Sequence, residues 1–222
     1  MQMYCDYRTN LFISLTVSVQ WKPYLLSVNT PPDGEDMFEH LAAKYGRQAA
    51  ERFRLPGNPL DLAGEKVGIS FSKTRRFVNT MDGHRLMEWC NTVQPDKSDA
   101  LMEVLFHAYF EEGRDISKKA ELVQAAQCVG LDVEAINAML DSNQYRDTVL
   151  QFDNQVKNRK GVSGVPHFII EDNNGGRPTA FSGAQVSFKQ TLTLFLFVHV
   201  LKELNTQPPE VIAEVLEGVQ GH

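Results

Sequence analysis

The stretch that decides the fold is Gly161-Val162-Ser163-Gly164-Val165-Pro166-His167-Phe168-Ile169-Ile170. Two glycines lead into an X-Pro bond, and an apolar run rich in β-formers follows at once. Because proline has no amide hydrogen and interrupts the ladder of a central strand, Pro166 is expected at the first residue of a strand or at a sheet edge. The Val165-Pro166 bond can be cis, since the trans preference before proline is only about 0.5–1 kcal/mol. By itself the stretch also fits an ordinary loop that leads into a buried strand.

The composition is that of a soluble globular protein. The chain has 222 residues, of which 42% are apolar and 23% charged, with a net charge of −6. This length allows one large domain or one domain with a sizeable insertion. The acidic balance argues against nucleic acid or an anionic membrane as the main partner. The longest apolar run, 192–201, is interrupted by Thr193 and His199 and is too short to span a bilayer.

The N-terminus and the cysteines predict a cytoplasmic location. Asp6 and Arg8 precede an alternating segment, without the basic and then continuously apolar order of a signal peptide. The chain has three cysteines, Cys5, Cys90 and Cys128, and no two of them form a CxxC pair. Such usage favours a reducing cytosol over a framework of disulfides.

Hydrophobic periodicity divides the rest of the chain. Period-two alternation predicts a first strand over 11–21, with Ile13, Leu15, Val17, Val19 and Trp21 on one face. From residue 35 to residue 160 the spacing becomes helical. Helices or short helical pieces are predicted over 35–46, 47–53, 60–66, 80–90, 99–113, 117–129, 133–140 and 142–160, with a short extended piece at 67–71.

Beyond Pro166 the composition predicts a hairpin. Residues 172–176 are typical of a tight turn, 179–181 of a returning strand, and 187–204 of a last helix, before a tail with a short helix at 210–219. The order is therefore strand, helical block, strand, hairpin, strand and helix. It predicts a small α/β sheet interrupted by a helical insertion.

Several motifs occur together and in this order. They are Val19-Gln20-Trp21-Lys22-Pro23-Tyr24-Leu25-Leu26, Asn79-Thr80 with His84-Arg85-Leu86, Leu105-Phe106-His107-Ala108-Tyr109-Phe110 with Gly113-Arg114-Asp115-Ile116, the opening stretch itself, and Ser182-Gly183-Ala184-Gln185. The set resembles the DsbA-like thioredoxin-domain family, specifically its FrnE branch, over about residues 15 to 204. The resemblance implies a thioredoxin-like fold with a helical insertion and an oxidoreductase or disulfide isomerase that acts on thiols and disulfides.

The resemblance also implies a division of the chain. Residues 11–34 and 151–205 would form the two thioredoxin-like parts, 35–150 the helical insertion, and 206–222 a tail. Sister groups of this branch are the kappa-class glutathione transferases and the 2-hydroxychromene-2-carboxylate isomerases. Partners would be protein or small-molecule thiols and disulfides, and the protein could form a homodimer.

Substrate-binding residues are implied in two loops. Gly164, Val165 and Pro166 match the family's cis-proline loop, which binds the substrate backbone beside the active dithiol. Gly183-Ala184-Gln185 matches the segment before the last helix, and in kappa-class relatives that turn helps to hold the glutamyl end of glutathione. No resident cofactor is expected, although glutathione is a candidate ligand.

Further candidates lie on the helical insertion. Asn79, His84 and Phe110 match positions whose inner surface faces the family's active-site groove. His84 and His107 could act as acid–base groups there, or could pack and hydrogen-bond within the helical block.

Two other groups of polar residues have weaker assignments. No metal site is expected, because the remaining histidines lack cysteine or carboxylate partners at ligand spacing; they are His40, His167, His199 and His222. Lys73, Arg75 and Arg76 form a short basic cluster, either a solvated loop or a group that steers an anion or thiolate.

The chain departs from the family at its start. The family has a short strand and then a Cys-Pro-Trp-Cys motif at a helix N-terminus, whose dipole and free amides stabilise the thiolate. Residues 1–10 cannot supply such a strand and crossover helix, because a βαβ unit needs about 30 residues. We therefore expect a truncated chain that lacks the first βα unit and has no catalytic dithiol. Cys5 lies alone, and Cys90 and Cys128 lie on apolar helix faces, where burial is expected.

Three functions remain open from the sequence. The first is a FrnE-like thiol–disulfide oxidoreductase whose redox catalysis is in doubt because CxxC is absent. The second is a non-catalytic thioredoxin-fold binding protein. The third is a glutathione-dependent transferase or isomerase of the kappa-like kind, which uses a serine near the start of the fold, in a segment that is absent here as well.

Overall fold

The computed structural model describes residues 2–4, 14–16, 18–158, 161–171 and 177–183. The chain forms two compact units, Met1–Val162 and Ser163–His222. The predicted turn at 172–176 and the predicted helices at 187–204 and 210–219 lie outside the described residues, and the four-part division of the chain stays a prediction.

The first unit opens with a short antiparallel pair. Strand β1 (Gln2–Tyr4) pairs with β2 (Ser14–Thr16), and Met3 lies opposite Leu15. The predicted strand over 11–21 is wrong in its second half, because 18–21 has no regular structure; 11–13 and 17 lie outside the described residues. The chain leaves β2 because Trp21 is held by helical residues. Its indole Nε1 donates to Asp99 at 3.1 Å, and its carbonyl accepts from Asn91 at 2.9 Å.

Eight α-helices follow within residues 18–158. They are α1 (Met37–Tyr45), α2 (Arg47–Arg54), α3 (Pro59–Glu65), α4 (Met81–Val93), α5 (Ser98–Phe106), α6 (Lys119–Cys128), α7 (Val133–Asp141) and α8 (Arg146–Asn158). A 3₁₀ turn, Pro95–Lys97, precedes α5, and a π-helical turn, His107–Glu111, continues it. None of the helices among the described residues is long and apolar enough to cross a membrane.

Local capping explains where several of these helices begin and end. The Asp36 carboxylate accepts from the first free amides of α1, at 2.9 and 3.1 Å. Gly46, at φ 86°, separates α1 from α2, as its position in the sequence predicts. The predicted extended piece at 67–71 is wrong in its first two residues, because the amides of Val67 and Ile69 both donate to the Gly64 carbonyl and close a turn after α3.

Helix α8 begins later than the sequence predicts. The periodicity favours a helix from residue 142, but Ser142 closes α7, and Tyr145 has a left-handed φ of 63°. A residue in that conformation cannot continue a right-handed helix. The chain therefore turns between α7 and α8, and the regular helix starts at Arg146.

Helix α4 lies at the centre of the core. Its buried face includes Leu86 and Cys90, both fully buried, as predicted. They pack in one cluster with buried residues of α5, α6 and α7, among them Leu101, Leu122, Ile136 and Met139. A smaller cluster of Leu25, Met81 and Val149 joins the segment after β2 to α4 and α8.

The second unit contains the predicted hairpin. Strand β3 (His167–Ile170) pairs antiparallel with β4 (Thr179–Ser182), starting directly after Pro166 as predicted. Phe168 lies opposite Phe181, and their rings stack with centroids 4.8 Å apart. This cross-strand pair fixes the register of the hairpin.

Candidate functional site

The proline loop and the residue after β4 lie side by side in the second unit. The Val165-Pro166 peptide bond is cis. The carbonyl of Pro166 accepts a 2.9 Å hydrogen bond from the amide of Gly183, which has a φ of 93°. Val165 is 48% exposed, so its side chain is available to a ligand. Two of the predicted segments thus meet here, while Ala184 and Gln185 lie outside the described residues.

A histidine–serine pair stands beside this loop. His167 Nδ1 lies 2.7 Å from Ser182 Oγ, and the two residues are register partners across the hairpin. The sequence offered only an indirect signal for this contact, namely the hairpin that joins the two motifs. The pair ties the first residue of β3 to the last residue of β4.

The side chain of Asn79 makes two hydrogen bonds within the first unit. Its Oδ1 accepts from the amide of Met81 at 2.9 Å, which caps α4, and its Nδ2 donates to the Thr30 carbonyl at 3.3 Å. The residue therefore fixes the start of α4 against the segment that follows β2.

His84 is also engaged within the helical unit. Its ring is desolvated, which lowers its pKa to about 4, against the opposing effects of a hydrogen bond to the Tyr24 backbone and the nearby Asp153 charge. The imidazole is therefore neutral at physiological pH. His107, the other histidine considered as an acid–base group, is exposed and lies 3.6 Å from Glu112.

Asp153 and Lys157 complete a polar cluster around the Tyr24-Leu25 segment. The buried Asp153 carboxylate accepts from the amide of Leu25 at 2.8 Å and from Lys157 Nζ at 2.9 Å. Lys157 Nζ also donates to the Leu25 carbonyl and lies 4.7 Å from the centroid of the Tyr24 ring. Sequence reasoning missed these two residues. Their spacing of four in a helix was the available signal.

Phe110 belongs to an aromatic row formed by Trp21, Phe106, Phe110 and Phe71. Neighbouring rings in this row meet edge to face, with centroids 5.7 to 6.2 Å apart. Phe106 is 41% exposed, whereas Phe110 is half-buried in the π-helical turn. The row forms an apolar surface on the helical unit.

The three residues of the basic cluster, Lys73, Arg75 and Arg76, have different surroundings. Lys73 pairs with Asp61, at 2.6 Å from Oδ2, and Arg76 donates to the carbonyls of Asp33 and Gly34, both at 3.3 Å. Arg75 instead lies over two aromatic rings, those of Phe71 and Phe110.

The described cysteines do not form a dithiol. Cys90 is fully buried, its Sγ lies 3.4 Å from the Gln94 carbonyl and 3.7 Å from Ser98 Oγ, and burial raises its pKa. Cys128 is exposed, so its predicted burial is wrong. It ends α6 two residues after the buried Ala126, about 200° further round the helix. Cys5 lies outside the described residues.

No group of three or more potential metal ligands occurs among the residues that the structure describes. His40 does have a carboxylate partner, contrary to the expectation from the sequence. Its Nδ1 lies 2.9 Å from Glu35, and its ring stacks on Phe77 with centroids 3.5 Å apart.

Comparison with known proteins places this geometry in context. The family model of the DSBA-like thioredoxin domain matches residues 3–190. The chain is similar to the crystal structure of a probable DsbA oxidoreductase from Streptomyces coelicolor, with 24% identity and a TM-score of 0.62 over 74% of this chain and 68% of that one. It is also similar to a putative protein disulfide isomerase from Nitrosomonas europaea, with 18% identity and a TM-score of 0.52 over 65% of this chain and 76% of that one. No curated protein matches.

Proposed function

Because this chain belongs to the DsbA-like thioredoxin-domain family, we propose that it binds thiol- or disulfide-bearing polypeptides without carrying out dithiol exchange itself. Membership confirms the resemblance and the thioredoxin-like α/β fold with a helical insertion that the sequence predicts. The family acts on thiols and disulfides, which supplies the ligand class. The FrnE-like branch, a cytoplasmic location and a homodimeric state stay predictions.

The state of the cysteines is the observation that carries the proposal. Dithiol exchange needs an accessible thiolate and a second thiol within reach. The sequence has no CxxC, and Cys90 is buried with a raised pKa. The exposed Cys128 is the last residue of α6, not a residue at a helix N-terminus. These 222 residues therefore fit binding better than redox turnover.

The polypeptide contacts are assigned to the proline loop of the second unit. They are Gly164, Val165 and Pro166 with Gly183, whose amide donates to the Pro166 carbonyl, and the resemblance adds Ala184 and Gln185. The exposure of Val165 supports this assignment. Phe110, with its aromatic row, is a separate candidate for an apolar contact within the first unit. Asn79 and His84 act as positioning residues, because their polar groups are already used to hold α4 and the Tyr24-Leu25 segment.

We expect no redox turnover by this chain. Reduction of insulin by dithiothreitol, followed by turbidity, should proceed at the rate of a protein-free control. The wild type should behave in this way because the exposed Cys128 thiol lacks a resolving partner among the described residues, and Cys128→Ser, which removes that thiol, should give the same result. A rate above background that disappears in Cys128→Ser or Cys90→Ala would overturn the proposal.

Glutathione is the small-molecule member of this ligand class. Gly183 lies beside Pro166, so the two segments implied to contact glutathione and the substrate backbone adjoin in one hairpin. Calorimetric titration with glutathione would test this alternative. Saturable heat, reduced in a Gly183→Val variant, would favour a kappa-like ligand site over polypeptide binding.

A further inference from the structure

Lys73 pairs with Asp61 and Arg76 donates to backbone carbonyls, whereas Arg75, the third member of the basic cluster, makes no ion pair or hydrogen bond among the described residues. Its Nη1 atom is buried and makes no hydrogen bond within that part of the chain. The guanidinium carbon lies 5.6 Å from the centroid of the Phe71 ring and 5.2 Å from that of Phe110. Buried polar groups in native proteins nearly always have a partner, either protein, water or ion. The Arg75 guanidinium therefore keeps hydrogen-bonding capacity that no described residue uses.

Asp61, the acid whose charge acts on Arg75, is already engaged by other residues. Asp61 receives Lys73 on both carboxylate oxygens, and its Oδ2 also accepts from Asn58 at 2.9 Å. Burial lowers the pKa of Arg75, while Tyr109 and Asp61 act in the opposite direction. In a chain of net charge −6, this side chain is thus a local cation without its own counter-ion among the residues that the structure describes.

The segment that carries Arg75 is fixed against the π-helical turn. The amide of Ser72 donates to the Phe110 carbonyl at 2.7 Å, and Tyr109 Oη donates to the Arg76 carbonyl at 2.8 Å. A side chain at Gly113 would collide with Ser72, so the close approach requires glycine there. The position of Arg75 over Phe110 is therefore set before any ligand arrives.

Apolar surface lies directly beside this cation. Phe71 and Phe106 each meet Phe110 edge to face, at 6.2 and 5.7 Å, and Phe106 is 41% exposed. A ligand whose anion reaches Arg75 can place an apolar body against these rings.

We propose that Arg75, with Phe71, Phe106 and Phe110, binds the carboxylate of a small ligand that has an apolar body. Guanidinium and carboxylate groups match in a planar, bidentate geometry, and such charge-assisted hydrogen bonds are stronger than neutral ones. Aromatic rings retain an apolar body by burial of its surface. The site shares Phe110 with the proposed polypeptide-binding surface, but it depends on no thiol chemistry.

The test uses benzoate as the probe and the full chain as the receptor, in isothermal titration calorimetry without thiols. We expect saturable binding to the wild type, at least about tenfold weaker in Arg75→Gln, and no binding of the neutral analogue benzamide. Arg76→Gln is the matched control, because Arg76 belongs to the same loop but donates to backbone carbonyls. It should bind benzoate as the wild type does.

The proposal is overturned if benzoate shows no saturable binding, or if Arg75→Gln and Arg76→Gln bind it equally. If Arg75→Gln does not fold, Arg75→Lys replaces it in the test. Lysine keeps the positive charge but lacks the planar guanidinium, so this variant should also bind benzoate more weakly than the wild type. For the wild type, benzoate should raise the melting temperature more than chloride at equal ionic strength. A negative result with benzoate would not contradict the proposed polypeptide binding, because that function is measured with a different ligand.

Discussion

Replacement of Arg85 by methionine is expected to lower the free energy of unfolding by about 3–5 kcal/mol. Arg85 is only 4% exposed. Its guanidinium donates to the carbonyls of Gln144 (2.8 Å), Met139 (2.7 Å) and Ser142 (2.5 Å), and to the carboxylate of Asp82 (2.7 Å). Methionine has a similar length but no donors, so the variant leaves the carbonyls at the end of α7 and in the following turn without a partner.

Urea denaturation monitored by circular dichroism measures this change. Arg52→Met is the matched control, because Arg52 is exposed on α2 and should change the unfolding free energy by no more than about 0.5 kcal/mol. A loss of less than about 1 kcal/mol in Arg85→Met would show that Arg85 is not the group that joins the end of α7 and the following turn to α4.

Acidification is expected to destabilise the protein through His84. Its pKa is about 4 in the folded chain and about 6.5 when unfolded, so the unfolded state binds more protons between these values. The contribution of the neutral, desolvated imidazole to the free energy of unfolding is therefore fully present above pH 6.5. It is lost as the pH falls towards 4. The loss is about 2 kcal/mol by pH 5 and roughly 3 kcal/mol in total.

Comparison of unfolding free energies at pH 7 and pH 5 tests this effect before most carboxylates titrate. In His84→Gln the amide can still donate to the Tyr24 backbone but does not titrate, so the variant should lose about 2 kcal/mol less than the wild type over this interval. His107→Gln is the control, because His107 is exposed, and it should follow the wild type. Equal pH dependence in wild type and His84→Gln would exclude His84 as the source.

The helical unit was largely predictable because its signals are local. Gly46 separates α1 from α2, and Leu86 and Cys90 mark the buried face of α4 by their spacing alone. The errors arise where contacts distant in sequence decide. The apolar alternation that predicts a strand continues through Val19. In the structure, however, Asp99 of α5 and Asn91 of α4 hydrogen-bond to Trp21, so the chain leaves the strand before that residue.

The candidate site was predictable only in part. The motifs indicated Val165, Pro166 and Gly183, and the hairpin brings them together. The capping of α4 by Asn79 is local and could be predicted. Its hydrogen bond to Thr30 and the engagement of His84 with Tyr24 could not, since those partners lie about 50 to 60 residues away. For the same reason the basic cluster gave no sign that Arg75 alone would lack a partner among the described residues.

The most direct test of the central claim is binding of fluorescein-labelled, scrambled ribonuclease A, measured by fluorescence anisotropy. The triple variant Cys5→Ser, Cys90→Ala and Cys128→Ser should bind it saturably and as tightly as the wild type, without ribonuclease reactivation by either protein. Val165→Asp should weaken binding about tenfold, because it places a charge on the exposed loop side chain. Absence of saturable binding, or binding and reactivation that disappear with the cysteines, would contradict the account.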